Sequence, residues 1–419
     1  MHREYPGEED MDHSVFENAF GGQFRRIVLS FSFLGVFLLQ ACSTPTRLEP
    51  QPAPLTAKVV MIDTPNARFY PDEQVTELYE EGIRSIQREM KALNITDLSK
   101  LPKANFLAIS GGGGDGAFGA GLLSGWTKAG TRPEFKLVTG VSTGALIAPF
   151  AFLGPAYDEQ LKRVFTTISA EDIYFERGFS GVLFNDALSD TTPLFNFISG
   201  SVTEEMLTAI AREYKKGRLL LIGTTNLDAR RPVIWNMGAI AASGHPKALD
   251  LFRKILLASS AIPAAFPPVM FDVEVDGKQY QEMHVDGGAI AQLFLYPPDV
   301  GRKIVNKGIK RERRAYIIRN GALGEDWSPV ERSTLDIAGR AISTMIYMSG
   351  VNDLFRVYMI TQRDGVDYNL AYIEDDFEGP PNEGGFDPTY MNALFAYGYE
   401  KARNSYAWKK TPPYVDNSN

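Results

Sequence analysis

The sequence predicts an α/β fold with a mostly parallel central sheet flanked by helices, and three observations lead there. Strand-like and helix-like runs alternate from Phe106 onward: a strand at 105–109, a helix at 117–128, a strand at 135–138 and a helix at 145–153. Parallel strands need crossover connections, and helices of this length are the usual ones. Both strand-to-helix junctions are glycine-rich, which marks tight turns rather than flexible linkers. Finally, 419 residues with a formal charge of −8 and 22% charged residues suit one large α/β domain with decorations, or at most two domains. That charge argues against nucleic acid as a partner and against a polybasic membrane patch.

In chain order, residues 1–41 read as a removable segment. Arg25 and Arg26 precede an almost wholly apolar run at 27–39, and Ala41 stands before Cys42, the only cysteine. A basic start, a short apolar stretch and a small residue make a secretory signal, too short for a spanning helix of about 20 residues. Leu39-Gln40-Ala41-Cys42 resembles a bacterial lipoprotein box, in which Cys42 becomes lipidated and N-terminal. Gln40 departs from the small residue usual there. Residues 42–57, with Pro45, Pro50, Pro52 and Pro54, form a stiff tether. Ser43 in place of an aspartate implies, by resemblance to lipoprotein sorting, an outer-membrane anchor facing the periplasm. With no second cysteine, no disulfide within the chain supports the fold.

Residues 58–104 form an N-terminal helical layer: Val75, Leu78, Tyr79, Ile83, Ile86, Met90 and Leu93 mark one face of a helix opening at Asp72. The catalytic candidate occupies 105–300. Within its first helix Gly119, Gly121 and Gly125 each cost about 1 kcal/mol relative to alanine, which close packing on the sheet would explain. Residues 158–197, rich in Phe and Leu (Phe175, Phe179, Leu183, Phe184, Leu194, Phe195), read as a helical cap or as plain core. Ser201 to Glu204 reads as a capping box, 219–226 as a buried strand, and Arg230-Arg231-Pro232 as a solvated basic turn, with phosphate contact as its rival. A hairpin follows, 271–275 and 278–285, joined by Asp276-Gly277. Residues 301–419 form a C-terminal α/β extension packed on the catalytic domain. It holds a strand at 315–318, a helix pair at 337–359, an acidic loop at 374–388 and a final helix at 390–408. Glu374, Asp375, Asp376 and Glu378 lack the ligand spacing of a calcium loop.

Chemistry concentrates in three motifs. Gly140-Val141-Ser142-Thr143-Gly144 holds a serine in a tight strand-to-helix turn, where the helix dipole favours a nascent alkoxide. Ser110-Gly111-Gly112-Gly113-Gly114-Asp115-Gly116 lets backbone N–H groups converge on an anion. A dinucleotide pyrophosphate would need an acidic residue about 20 positions on; the chain supplies the serine elbow instead, so a tetrahedral oxyanion fits better. Asp286-Gly287-Gly288 ends the second hairpin strand and delivers a carboxylate.

These motifs, in this order, resemble the patatin-like phospholipase family, as does the run at 258–269 ahead of the hairpin. The resemblance covers roughly 106–296. It implies an α/β sandwich, a Ser142–Asp286 dyad, an oxyanion hole at Gly112, Gly113 and Gly114, hydrolysis of lipid acyl esters, and no metal or organic cofactor. The family's loop commonly carries Arg or Lys where this chain has Asp115; capping of the next helix is the expected role of that aspartate. The histidines agree with a dyad: His2, His13, His245 and His284 all precede Asp286, so no Ser-acid-His order is available. His284, two residues before Asp286, stays open as an alternative base. Burial of Asp286 beside an apolar pocket would raise its basicity. The alternative is a non-catalytic lipid-binding or envelope-interaction lipoprotein on the same fold.

Overall fold

The computed structural model describes residues 46–176, 187–306, 309, 311–324, 327–382, 385–413 and 415. The segment 1–41, Cys42, the first tether residues and Phe179, Leu183 and Phe184 of the expected cap lie outside the described residues. Every element below belongs to one unit, Arg47–Arg177 with Ala187–Asn419.

In chain order the first half contains β1 (Arg68–Phe69), α1 (Val75–Ala92), β2 (Ala104–Ile109), α2 (Gly116–Lys128), β3 (Leu137–Val141) and α3 (Thr143–Leu153). Next come α4 (Asp158–Thr167), β4 (Phe175–Glu176), β5 (Ser189–Asp190), α5 (Thr192–Ser201), α6 (Glu204–Lys215), β6 (Leu219–Asn226), β7 (Arg231–Asn236) and α7 (Met237–Ala242). The remainder is α8 (Ala248–Ser259), β8 (Val269–Val275), β9 (Lys278–Asp286), α9 (Pro298–Asn306), β10 (Arg313–Ala322), α10 (Thr334–Asp364), β11 (Asp367–Ile373) and α11 (Pro388–Arg403).

The main sheet runs β1-β7-β6-β3-β2-β10-β11, with β9 paired to the end of β6 and β8 paired to β9. From β6 through β11 neighbours are parallel, as the strand–helix alternation predicts; β7 and β9 are antiparallel to β6. Buried side chains alternate between the two faces. Leu107, Ile109, Val138, Leu220 and Ile222 belong to one core cluster, while Ala108, Leu137, Leu221 and Ile317 belong to the other. Near-continuous burial along β3 and β6 is what a parallel sheet covered on both faces requires. The C-terminal segment supplies β10, which lies directly beside β2.

Local expectations divide. The hairpin forms with Asp276 and Gly277 at φ 52° and 78°, the left-handed pair that a two-residue turn between twisted strands needs. The helix expected from Asp72 starts at Val75, and Thr203 rather than Ser201 caps α6, accepting the Met206 N–H. The expected helix pair at 337–359 is one 31-residue helix, α10. Its first half stands largely in solvent (Met345 is 71% exposed), while Leu354 and Val357 are buried. The glycines of α2 do not mainly serve the sheet. A Cβ at Gly121 or Gly125 would stand 2.1 Å from a carbonyl oxygen of α11, that of Phe395 or Tyr399; only Gly119 faces β10, at Ile318 and Asn320. Two helices in such contact exclude any side chain between them.

Candidate active site

Strand β6 brings two distant motifs together. Its Gly223 lies opposite Val141, the last residue of β3, and its next residue, Thr224, lies opposite Asp286, the last residue of β9. Two strand ends registered on adjacent residues of a shared neighbour place Ser142 and Asp286 side by side. The Ser142 hydroxyl is near enough to the Asp286 carboxyl to act on its protonation, pulling against the effect of burial.

Ser142 has φ 55° and ψ −129°, a conformation that costs a non-glycine residue about 1–3 kcal/mol and persists only when its surroundings enforce it. They do. A Cβ on Gly144 would sit 2.2 Å from the Ile109 oxygen, and one on Gly140 would sit 2.4 Å from the Gly144 oxygen, so the turn closes only with glycine on both sides. The Ser142 N–H donates to Ser259 Oγ at 3.0 Å, whose hydroxyl donates to the Gly223 oxygen at 2.7 Å. This clamp fixes the elbow to β6. The hydroxyl therefore projects at the N-terminus of α3.

Asp286 is buried, and burial lifts its carboxyl to about 7 against the opposing pull of the Ser142 hydroxyl and of a hydrogen bond from the Gly288 N–H at 2.7 Å. It forms no ion pair among the described residues. His284 has a different occupation. Its Nε2 meets Glu282 Oε2 at 3.1 Å and its Nδ1 meets Thr224 Oγ1 at 2.9 Å, while Thr224 also accepts the Trp235 indole N–H. Thr224 thus donates to Nδ1 and leaves the proton on Nε2, facing Glu282. Burial pulls His284 below its usual range, so it stays neutral, with both ring nitrogens engaged within the core. The other histidine among the described residues, His245, lies in a loop where Nδ1 accepts the Lys247 N–H.

Gly112 and Gly113 line a cavity of about 490 Å³ together with Ser142, Asp286, Gly288 and Gln292. Gly114 is not on that wall; a Cβ there would meet the Gly385 oxygen at 2.5 Å. Gly111 abuts Ser142 Cβ, Gly116 abuts Thr143, and Gly287 abuts the Gly223 oxygen. The loop is held by β10: Asn320 N–H donates to Ser110 Oγ at 2.9 Å, and Asn320 Nδ2 donates to the Ser110 oxygen at 2.8 Å. At Gly112 the Asn320 oxygen would be only 2.2 Å from a Cβ.

Asp115 does not cap a helix. It makes no side-chain capping bond and instead accepts the Tyr390 hydroxyl at 2.7 Å; burial raises its carboxyl against that bond and against the field of Arg319. Arg319, in the second half of β10, also lines the cavity. Arg319, Asn320 and Gln292 escaped notice in the sequence, where Ser259 reads only as part of the run at 258–269. The available signal was position: in an open α/β sheet, residues just past the carboxyl ends of strands face the site, and Arg319-Asn320-Gly321 follows the strand read at 315–318. Elsewhere, Arg231 is engaged with Asp72 and Glu73, and Glu374 and Asp376 pair with lysines. Among the described residues no group of three or more His, Cys, Asp or Glu is placed to hold a metal, and no helix is long and apolar enough to cross a membrane.

Residues 107–297 match the family model described as patatin-like phospholipase. No curated protein matches the chain. Among solved structures, the chain is similar to one titled crystal structure of VipD from Legionella pneumophila, at 12% identity and a TM-score of 0.36, covering 76% of this chain and 73% of that one.

Proposed function

We propose, from the match of residues 107–297 to the patatin-like phospholipase family model, that the chain is a lipid acyl hydrolase working through Ser142 and Asp286. The observation that carries this reading is a serine in strained backbone set, by the register of β3 and β9 on β6, beside a buried carboxyl lifted to about 7. A base is most useful when its pKa lies near working pH, and an aspartate at its ordinary value would be too weak.

In the proposed mechanism the Ser142 oxygen attacks the ester carbonyl carbon as its proton passes to Asp286. The tetrahedral oxyanion is held by backbone N–H groups at Gly112 and Gly113, the two loop glycines on the cavity wall, and by the α3 dipole. Asp286 returns the proton to the leaving alcohol, water enters by the same route in reverse, and the fatty acid leaves. Lipidation of Cys42, with the 42–57 tether, would hold the enzyme at the outer membrane on its periplasmic side; the sequence around Cys42 supports this part.

Titration with a fluorophosphonate, alongside hydrolysis of a panel of defined acyl esters, tests the reading. The native protein should label stoichiometrically and Ser142→Ala should neither label nor turn over. A folded native protein that neither labels nor cleaves any ester would instead be the lipid-binding lipoprotein.

A further inference from the structure

Arg319 is an anomaly of burial. Its side chain is nine-tenths hidden, and no carboxylate lies within ion-pairing distance among the described residues. Among the described residues its hydrogen bonds are two long ones from Nη1, to Ser110 Oγ at 3.4 Å and to the Gly111 oxygen at 3.5 Å, and its buried Nε has no partner there. A guanidinium left so poorly satisfied costs stability unless something else engages its donor fork. The carboxylates that act on it from a distance are committed elsewhere: Asp115 to the Tyr390 hydroxyl, Asp353 to Arg356 and the Gln292 and Leu293 N–H groups.

The location of Arg319 says what would engage it. Arg319 lines the same cavity as Ser142, Asp286 and Gly112. Gly111 joins them: its oxygen accepts from Arg319, and its own Cβ position lies 2.9 Å from Ser142 Cβ. Glycines make the room, since a Cβ at Gly350 of α10 would press on the guanidinium carbon at 3.1 Å. The loop carries an acid, Asp115, where the resemblance implies a base, and the cation of this site comes from β10 instead. A planar fork of donors suits phosphate better than it suits an ester carbonyl. Asp375, exposed and also lining the cavity, sets a limit on total negative charge and favours a singly charged phosphodiester over a phosphomonoester.

We propose that Arg319 is the residue that determines head-group class, its guanidinium holding the phosphodiester of a glycerophospholipid while Ser142 attacks an acyl ester on the same glycerol. This rests on the hydrolase reading above and extends it to substrate choice.

The experiment compares kcat/KM on phosphatidylethanolamine and on diacylglycerol of matched acyl chains in mixed micelles, for the native enzyme, Arg319→Gln and Arg319→Lys, with thermal melts to verify folding. The native enzyme should prefer the phospholipid. Arg319→Gln should lose roughly ten- to a hundredfold on it while staying within about threefold on diacylglycerol, and Arg319→Lys should fall between. Equal losses on both substrates would overturn the proposal by giving Arg319 an oxyanion or structural role, and unchanged rates would overturn it as well. If the glutamine variant fails to fold, the lysine variant decides: a lowered preference supports the proposal and an unchanged one sinks it. Inhibition of diacylglycerol hydrolysis by inorganic phosphate, without any phospholipid preference, would assign the guanidinium to a free anion and contradict it. A native protein that cleaves neither lipid removes the hydrolase reading itself, an outcome distinct from cleavage without preference.

Discussion

Glu282 and Asp286 stand on the same strand, β9, with side chains on the same face and both carboxyls buried, yet their surroundings treat them in opposite ways. Glu282 faces the Arg68 guanidinium, accepts from Gln51 and from His284, and is held well below the usual carboxylate range despite its burial. Asp286 is desolvated as well but, among the described residues, pairs with no cation; the Ser142 hydroxyl and the Gly288 N–H oppose burial too weakly, so its carboxyl rises to about 7. Both sites are dry. What differs is the partner, and the partner decides whether a buried acid is a fixed anion or a base able to take a proton. The unpaired acid is the one beside the strained serine.

Substitutions can break that comparison, and the largest effect should fall on catalysis. Asp286→Asn preserves shape and removes the base, so turnover should drop by about 10³-fold, within the range general-base removal produces. Glu282→Gln in the same assay should leave turnover per folded molecule within a few-fold, and steady-state rates normalised to active protein check both. Equal losses would erase the distinction.

Stability should show the reverse ranking. Glu282→Gln leaves Arg68 charged and buried, and should destabilise the fold by about 3–5 kcal/mol at pH 7 by denaturant titration. Because the native Glu282 carboxyl lies below its unfolded value of about 4.3, its contribution is present above that pH and fades as pH falls further. The penalty of the variant should therefore shrink in acid.

Asp286→Asn should give the smallest effect, of opposite sign. The native carboxyl binds its proton more tightly folded, at about 7, than unfolded, at about 3.9, so stability erodes as pH rises between those values. Replacing it by a neutral amide should stabilise the protein by roughly 1–3 kcal/mol at pH 8 and by little at pH 4. Melting curves at the two pH values measure the difference; a variant less stable at pH 8 would show that Asp286 is compensated there.

Much of this was legible before any coordinates. Strand–helix alternation gave the parallel sheet because burial on both faces writes continuous apolar runs such as 219–222. Ser142 and Asp286 stood out because their turns admit only glycine neighbours, a constraint that backbone closeness imposes on sequence. What stayed hidden depends on contacts between distant segments. Nothing local shows that Tyr390 will occupy Asp115 and so displace a capping role, or that α11 will lie against Gly121 and Gly125. Arg319 is an ordinary arginine until β10 pairs with β2 and carries it into the cavity. His284 could have been a base by spacing alone; only the Thr224–His284–Glu282 chain shows its ring nitrogens to be engaged.

The central claim, that buried Asp286 is the base that activates Ser142, meets its most direct test in the pH dependence of fluorophosphonate labelling at Ser142. Labelling rate should rise about tenfold per pH unit below a midpoint near 7 and then level, with His284→Gln sharing that midpoint and Asp286→Asn slow and flat throughout. A native rate that does not change between pH 5 and 8, or a midpoint that moves with His284 and not with Asp286, would contradict it.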